Sequence, residues 1–306
     1  MNNKITTNLW FDNQAEEAAE FYTSVFGGTT GKVVHYPDTG QEITGGTPGS
    51  VMTVEFEIAD QGFVGLNGGP IFQFNPSISF MVNYDPSRDE NAKEMLNEAW
   101  NKLTEGGKVL MPLDSYPFSE HYGWVQDKFG ASWQLILTDP TGEPRPFIIP
   151  SLLFVGDKVG KAEEAMRFYL SVFKDAKEGM VARYPARSEP DKEGTIMFAD
   201  FMLENQWFAV MDSAQEHGFT FNEALSFIVN CDTQEEIDSY WEKLSAVPEA
   251  EQCGWLKDKY GVSWQITPAV LNKMDDQSEG ANRMMEAMLK MKKLDIAELE
   301  RAYNGE

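Results

Sequence analysis

The side chains in this chain that could do chemistry are mostly neutral, and they sit on segments of alternating polarity. In the run from Ile5 to Phe11, Leu9 and Phe11 fall on one side, and Thr6, Asn8 and Trp10 on the other. Gln134 holds the same kind of position where Trp133, Leu135 and Leu137 alternate with Ser132, Gln134 and Ile136. Amides and an indole on a shared inner face would hold a neutral or aromatic ligand by hydrogen bonds and stacking. The same groups would equally satisfy one another in a filled interior. His121 stands among Tyr116, Phe118, Tyr122 and Trp124, and the stretch from Leu113 to Tyr122 reads as an aromatic, proline-containing loop. Such a loop can cover a pocket mouth, with the imidazole as acid or base; a solvated histidine is the plainer reading. Glu55 and Glu57 share one strand face, which suits general acid–base work or simple exposure. Their counterparts in the second half are Asp200 and Met202, so the carboxylate pair is not repeated.

Charge and composition narrow the classes. The 306 residues carry 25 basic and 49 acidic side chains, a formal charge of −24, which would repel nucleic acid and anionic membranes. The acidity is spread along the chain, as on a solvated surface. Hydrophobic residues at 42% and aromatics at 12% are enough for two globular cores. The two cysteines, Cys231 and Cys253, allow one bridge at most and read as buried thiols. The N-terminal MNNKITTNLW has no apolar leader, and no apolar run is long enough to span a bilayer. A reduced cytoplasmic protein is the expectation.

The elements that must position these residues come from a duplication. Gly123–Leu135, GWVQDKFGASWQL, returns as Gly254–Ile266, GWLKDKYGVSWQI, with eight of thirteen positions identical. Each copy reads as a β-hairpin with an Asp-Lys-aromatic-Gly turn. Ala15–Phe26 returns as Ala162–Phe173, and Ser79–Asn83 as Ser226–Asn230. Equivalent residues lie 147 apart early in the repeat and 131 apart at its end, so the second copy lacks 16 residues before its closing hairpin. Each copy contains two β-α-β-β-β patterns, four in all. The expected architecture is α+β, with curved mixed sheets and helices outside. The expected organisation is a module at 1–138, a linker at 139–146, a second module at 147–270 and a helical tail at 278–306. Thr233-x-x-Glu236 and Asp295-x-x-Glu298 predict helix starts. Met284, Met288 and Met291 recur at helical spacing and predict a packing face, against the chain's own body or a second copy in a homodimer.

These motifs carry a resemblance. AEEAxxFYxSVF, the LNGGP of Leu66–Pro70, SFxVN, QEEIDSYWEKLS of Gln234–Ser245 and CGWLKDKYGVSWQITP of Cys253–Pro268 are similar to the PhnB-like branch of the glyoxalase-like, or vicinal oxygen chelate, superfamily. Its members are often labelled 3-demethylubiquinone-9 3-methyltransferase-like. The resemblance covers nearly the whole chain. It implies sheets around a cup, with metal ligands, where present, on the first and last strands of the units. Those positions would be Thr6 or Asn8, Asn67, Ser77 or Ser79, and Gln134 in the first module. In the second they would be Ser151, Asp212, Ser226 and Gln265. Divalent transition metals prefer imidazole, thiolate or carboxylate, and this set has one carboxylate, Asp212. His35, His121 and His217 do not fall on it. No metal or other cofactor is therefore expected. The methyltransferase label finds no support in the residues: the GLNGGP stretch is followed by Phe72, Phe74 and Pro76 rather than by a helix that could hold a methyl donor. The expectation is a protein that binds a small organic molecule in a cup without a metal. The alternatives are a lyase- or isomerase-type enzyme using a metal or an acid–base pair, or a methyltransferase.

Overall fold

The computed structural model describes residues 4–273 and 278–306. The first quarter runs β1 (Ile5–Phe11), α1 (Ala15–Phe26), β2 (Thr29–His35), α2 (Gln41–Thr44), β3 (Val51–Ile58) and β4 (Gln61–Asn67). The second runs β5 (Ile78–Tyr84), α3 (Ala92–Thr104), β6 (Lys108–Tyr116), β7 (Ser119–Gln126) and β8 (Ser132–Leu137). The third runs β9 (Ile148–Phe154), α4 (Ala162–Val172), β10 (Lys177–Arg183), β11 (Ile196–Leu203) and β12 (Gln206–Asp212). The fourth is shorter, with β13 (Leu225–Cys231), α5 (Gln234–Leu244), β14 (Trp255–Lys257) and β15 (Ser263–Pro268). Helices α6 (Glu279–Leu289) and α7 (Ile296–Asn304) form the tail. The α+β class is as the sequence predicts; three quarters carry the expected four strands around their first helix, and the fourth is β-α-β-β, one strand short of the expected pattern.

The quarters pair in an order that the repeat alone does not suggest. One sheet runs β14-β15-β13-β1-β4-β3-β2, and the other β10-β11-β12-β9-β5-β8-β7-β6. The first quarter joins the fourth through antiparallel β1 and β13, with Asn8 opposite Ser226. The second joins the third through antiparallel β5 and β9, with Ser79 opposite Ser151. Two compact units result: unit 1, residues 1–73 and 222–306, and unit 2, residues 74–221. Each sequence module, 1–138 and 147–270, is thus divided between both units. The segment 139–146 lies inside unit 2.

Each unit has an apolar face under helices. In unit 1, Tyr22 of α1 packs on Phe56, which stacks on Phe63 at 5.1 Å. A Cβ on Gly65 would meet Ala15 and Phe11, so these alternate positions all face α1. Thr6, Asn8, Trp10, Val64 and Leu66 therefore take the opposite, inner face. In unit 2, Tyr169 of α4 and Phe201 and Phe208 form the matching stack. Gly123 lies against Trp100 of α3, where a Cβ would come within 2.4 Å of the indole. The repeated turn is a clamp. Buried Asp127 accepts the N–H groups of Phe129 and Ala131 with one oxygen and the Trp133 indole at 2.8 Å with the other. Asp258 does the same for Tyr260, Val262 and Trp264. Gly130 and Gly261 supply the positive φ, +93° and +92°, that closes each turn.

The structure departs from the sequence reading in two further places. Residues 113–122 are no loop: β6 and β7 form a long hairpin in which Tyr116, Phe118 and Tyr122 pack on one another. Alternation was masked there by Pro112, Pro117 and register shifts. The short α2 carries no buried residue and leaves no amphipathic signature. The tail docks on its own chain, as one of its two expected sites. Gln252 Nε2 donates to the Leu289 carbonyl at 2.7 Å, and the Cys253 and Gly254 N–H groups donate to Met291 and Lys292. That is where the second module lacks its hairpin residues. The Thr233 and Asp295 caps form as expected.

Two measurements check this account. Asp258→Ala strips an acceptor from three buried or partly buried donors, and should destabilise unit 1 by about 3 kcal/mol in urea unfolding. Glu163 of α4 is bound by Arg183 and Arg167, whose hydrogen bonds hold its carboxyl at about 2. A depressed folded value means stabilisation present above the ordinary glutamate range and lost as pH falls toward about 2. Glu163→Gln should therefore cost below about 1 kcal/mol near neutral pH. The gap to the parent should close on acidification.

Candidate functional site

The inner face of the unit 1 sheet is roofed by α6, and a cavity of about 340 Å³ lies between them. Its floor comes from alternate residues of five strands: Thr6, Thr53, Val64, Ile228, Asn230 and Thr267. The roof is Ala281, Met284, Met285 and Met288. Two of the three predicted stripe methionines thus line it; Met291 lies beyond α6, in the segment bonded to Cys253. Lys32, His35 and Glu55 stand in the wall from β2 and β3. Thioethers on a flexible chain adapt to the shape of whatever they cover. Asn230 Nδ2 donates to Thr6 Oγ1 at 3.3 Å, which fixes part of the polar floor. His35 Nδ1 is buried with no hydrogen-bond partner among the described residues. Glu57, the other carboxylate of β3, is exposed and does not line the cavity.

Beside the cavity on the same face is the corner where the family resemblance would place ligands. Ser226 Oγ accepts from Gln265 Nε2 at 3.0 Å and from Asn8 Nδ2 at 3.3 Å. The residue level with Asn8 on β4 is Val64. Unit 2 repeats the plan: Gln134 Nε2 donates to Ser79 Oγ at 2.7 Å and its oxygen accepts from Tyr122. Level with Ser151 on β12 is Ala209. The unit 1 corner therefore offers two amides, a hydroxyl and an alkyl group, and the unit 2 corner one amide, hydroxyls and an alkyl group. Such a set does not fit a divalent transition metal, which needs negative or imidazole donors. Among the described residues, His, Cys, Asp and Glu form no group of three that would hold one.

Several predicted site residues lie elsewhere. Asn67 and Asp212 are on the helix-facing side and cap helices. Asn67 Oδ1 accepts the Ala15 N–H at 2.9 Å, and Asp212 accepts those of Gly160, Ala162 and Ile196. They end strands whose inner-face residues are one position away, a distinction of phase that a single residue count cannot settle. Burial raises the Asp212 carboxyl, against four backbone N–H bonds that favour its charge. His121 turns to α3, with Nε2 at 2.7 Å from Asn97 Oδ1, and is not among the residues lining the unit 1 cavity. Burial, with Lys93 nearby, lowers its pKa. Trp124 Nε1 donates to Ser132. Trp10 donates to the Gly69 carbonyl and packs edge-on to Phe72 and Trp255. Asn8 and Trp10 belong to unit 1 and Gln134 to unit 2, so they do not share one face. Asn8 meets Gln265 instead, through Ser226. Cys231 and Cys253 are both free thiols.

The corresponding inner face of unit 2 carries an apolar cluster. Met81, Ile149 and Ala209 form a buried cluster with Ile136, Phe198 and Trp207 packed on it. Arg145, from the linker segment, lies 4.2 Å over the Trp207 ring and binds buried Asp200 at 2.6 Å. Asp200, aligned by sequence with Glu55, is therefore a structural counter-ion here. Arg145→Ala would leave Asp200 without its cation and should destabilise unit 2 by about 3 kcal/mol. In chemical denaturation, the Arg145→Ala/Asp200→Ala pair should recover part of that loss.

The stretch after β4 runs into a turn at Pro70 and Ile71 rather than a helix, so no strand–helix crevice for a methyl donor forms there. No helix among the described residues is long and apolar enough to cross a membrane. The residues missed in the sequence, His35, Met52, Thr53, Ile228 and Thr267, were visible only as ordinary strand positions.

Comparison with known proteins matches this picture. No functionally curated protein matches the chain. A PhnB protein from Bacillus cereus, described as a 3-demethylubiquinone-9 3-methyltransferase, is 37% identical over 44% of this chain and 99% of its own, with a TM-score of 0.39. A Staphylococcus aureus protein is 34% identical over 45% of this chain and 100% of its own, with a TM-score of 0.18. Glyoxalase I from Zea mays is 13% identical over 89% of this chain and 95% of its own; its TM-score of 0.51 shows a shared fold. The profile of the 3-demethylubiquinone-9 3-methyltransferase family matches residues 3–136 and again 146–267. With two copies of that profile covering most of its length, this chain belongs to the PhnB-like 3-demethylubiquinone-9 3-methyltransferase family, on a glyoxalase-like fold.

Proposed function

We propose that the protein binds a small, uncharged organic molecule in the unit 1 cavity without a metal, and that unit 2 is its structural counterpart. The observation that carries this reading is the cavity itself: about 340 Å³ between an inner sheet face and a methionine-lined helix. That volume suits a compact ligand. The neutral corner of Asn8, Ser226 and Gln265 favours hydrogen bonding over coordination. Lys32 and Glu55, of opposite formal charge in the same wall, give neither an anion nor a cation a clear advantage there.

An enzymatic reading has one observation in its favour, that His35 and Glu55 border the same cavity as an acid–base pair would. Recovering bound compounds unchanged would separate binding from turnover.

The test is thermal unfolding of the full chain against a panel of compact aromatic and aliphatic compounds. Ile228 lies on the cavity floor, so Ile228→Trp fills it. Compounds that stabilise the parent should fail to stabilise this variant. Equal stabilisation of both would sink the reading. Elemental analysis should find no stoichiometric transition metal, and a metal at one per unit would overturn the metal-free part.

A further inference from the structure

We infer that the unit 1 cavity selects apolar molecules bearing a carbonyl-type hydrogen-bond acceptor, and that His35 is the residue that reads it. The inference rests on the binding proposed above and names the ligand's chemistry. It comes from the two nitrogens of one ring. His35 borders the cavity, and its Nδ1 is buried without a partner among the described residues. A proton on that nitrogen would have no acceptor. A bare lone pair is the lesser loss, so the neutral ring carries its proton on Nε2. No described residue accepts a hydrogen bond from Nε2. The ring is therefore a donor of fixed sense on the wall of an apolar space.

Lys32, on the same wall, is a second donor, but a point charge on a flexible four-carbon stem rather than a ring donor of set position. The hydroxyls of Thr53 and Thr267 rotate, so each can donate or accept and neither discriminates. The roof sulfurs of Met284, Met285 and Met288 are weak acceptors, which disfavours a ligand that must itself donate strongly to the roof. Lys32 and Glu55 stand on the same wall with opposite formal charges, so a charged ligand of either sign gains one and is repelled by the other. What fits is an uncharged apolar body, with an oxygen acceptor set against His35 and the remainder under the methionines. An aromatic ketone is the simplest such molecule.

The experiment compares 1-acetonaphthone with 1-ethylnaphthalene, which has nearly the same shape and no carbonyl. Both are titrated into the full-length protein by equilibrium dialysis. The parent should bind the ketone about tenfold more tightly. His35→Phe should reduce that preference to about twofold or less while still binding the hydrocarbon. His35→Gln, whose amide nitrogen can stand where Nε2 stands, should restore it. Thermal unfolding of each variant checks that the fold is kept. Equal affinity of the parent for the two compounds, or a preference that survives His35→Phe, overturns this inference and leaves the binding reading intact. Failure of the parent to bind either compound overturns the binding reading as well.

Discussion

Every quarter of this chain begins with a strand whose one edge is covered by its own last strand and whose other edge is bare. β1 lies parallel to β4, β5 to β8, β9 to β12 and β13 to β15. Buried backbone N–H and C=O groups on the bare edge need partners. The chain supplies them by pairing first strand with first strand, β1 with β13 and β5 with β9. That constraint decides which residues can meet. It brings Asn8 to Ser226, which Gln265 also binds, and Ser79 to Ser151, and it assigns each helix and each inner face to one of two units.

The two units began as the same plan and have been completed differently. In unit 2 the β6–β7 hairpin is long, and Arg145 stacks over Trp207 against Asp200. Apolar side chains pack on the inner face there. In unit 1 the corresponding hairpin residues are absent and β14 is three residues long. The tail backbone takes up the hydrogen bonds of residues 252–254, and Lys292 reaches the carboxylate of Glu251. Anchoring the tail at that edge also lays α6 across the inner face. The deletion and the tail are thus two halves of one arrangement, and the cavity is its product.

The polar corner recurs in both units. A serine hydroxyl between amide nitrogens satisfies buried polar atoms with neutral groups. Val64 and Ala209 fill the remaining position with carbon. The family's name describes a methyl transfer, yet neither unit presents a glycine turn leading into a helix after its fourth strand. The fold supports many chemistries, and the side chains decide among them.

Much of this was legible from residue order alone. Alternation assigned the inner face of β1 correctly, repetition of the Asp-Lys-aromatic-Gly turn marked both hairpins, and Thr233 and Asp295 announced their helices, because these features depend on neighbours a few positions away. The missing 16 residues were legible too, though not what would occupy their place. What tertiary structure alone decided was the pairing of quarters. The repeat placed Asn8 with Gln134, but strand-edge pairing over more than two hundred residues placed it with Gln265, and nothing local encodes that choice. The same holds for His35, set aside in the sequence as falling on no ligand position, which the fold places beside α6 at the cavity. Sequence determined the units and their faces, since period and turn chemistry are local; structure decided the partners, since a bare edge can be satisfied from anywhere along the chain.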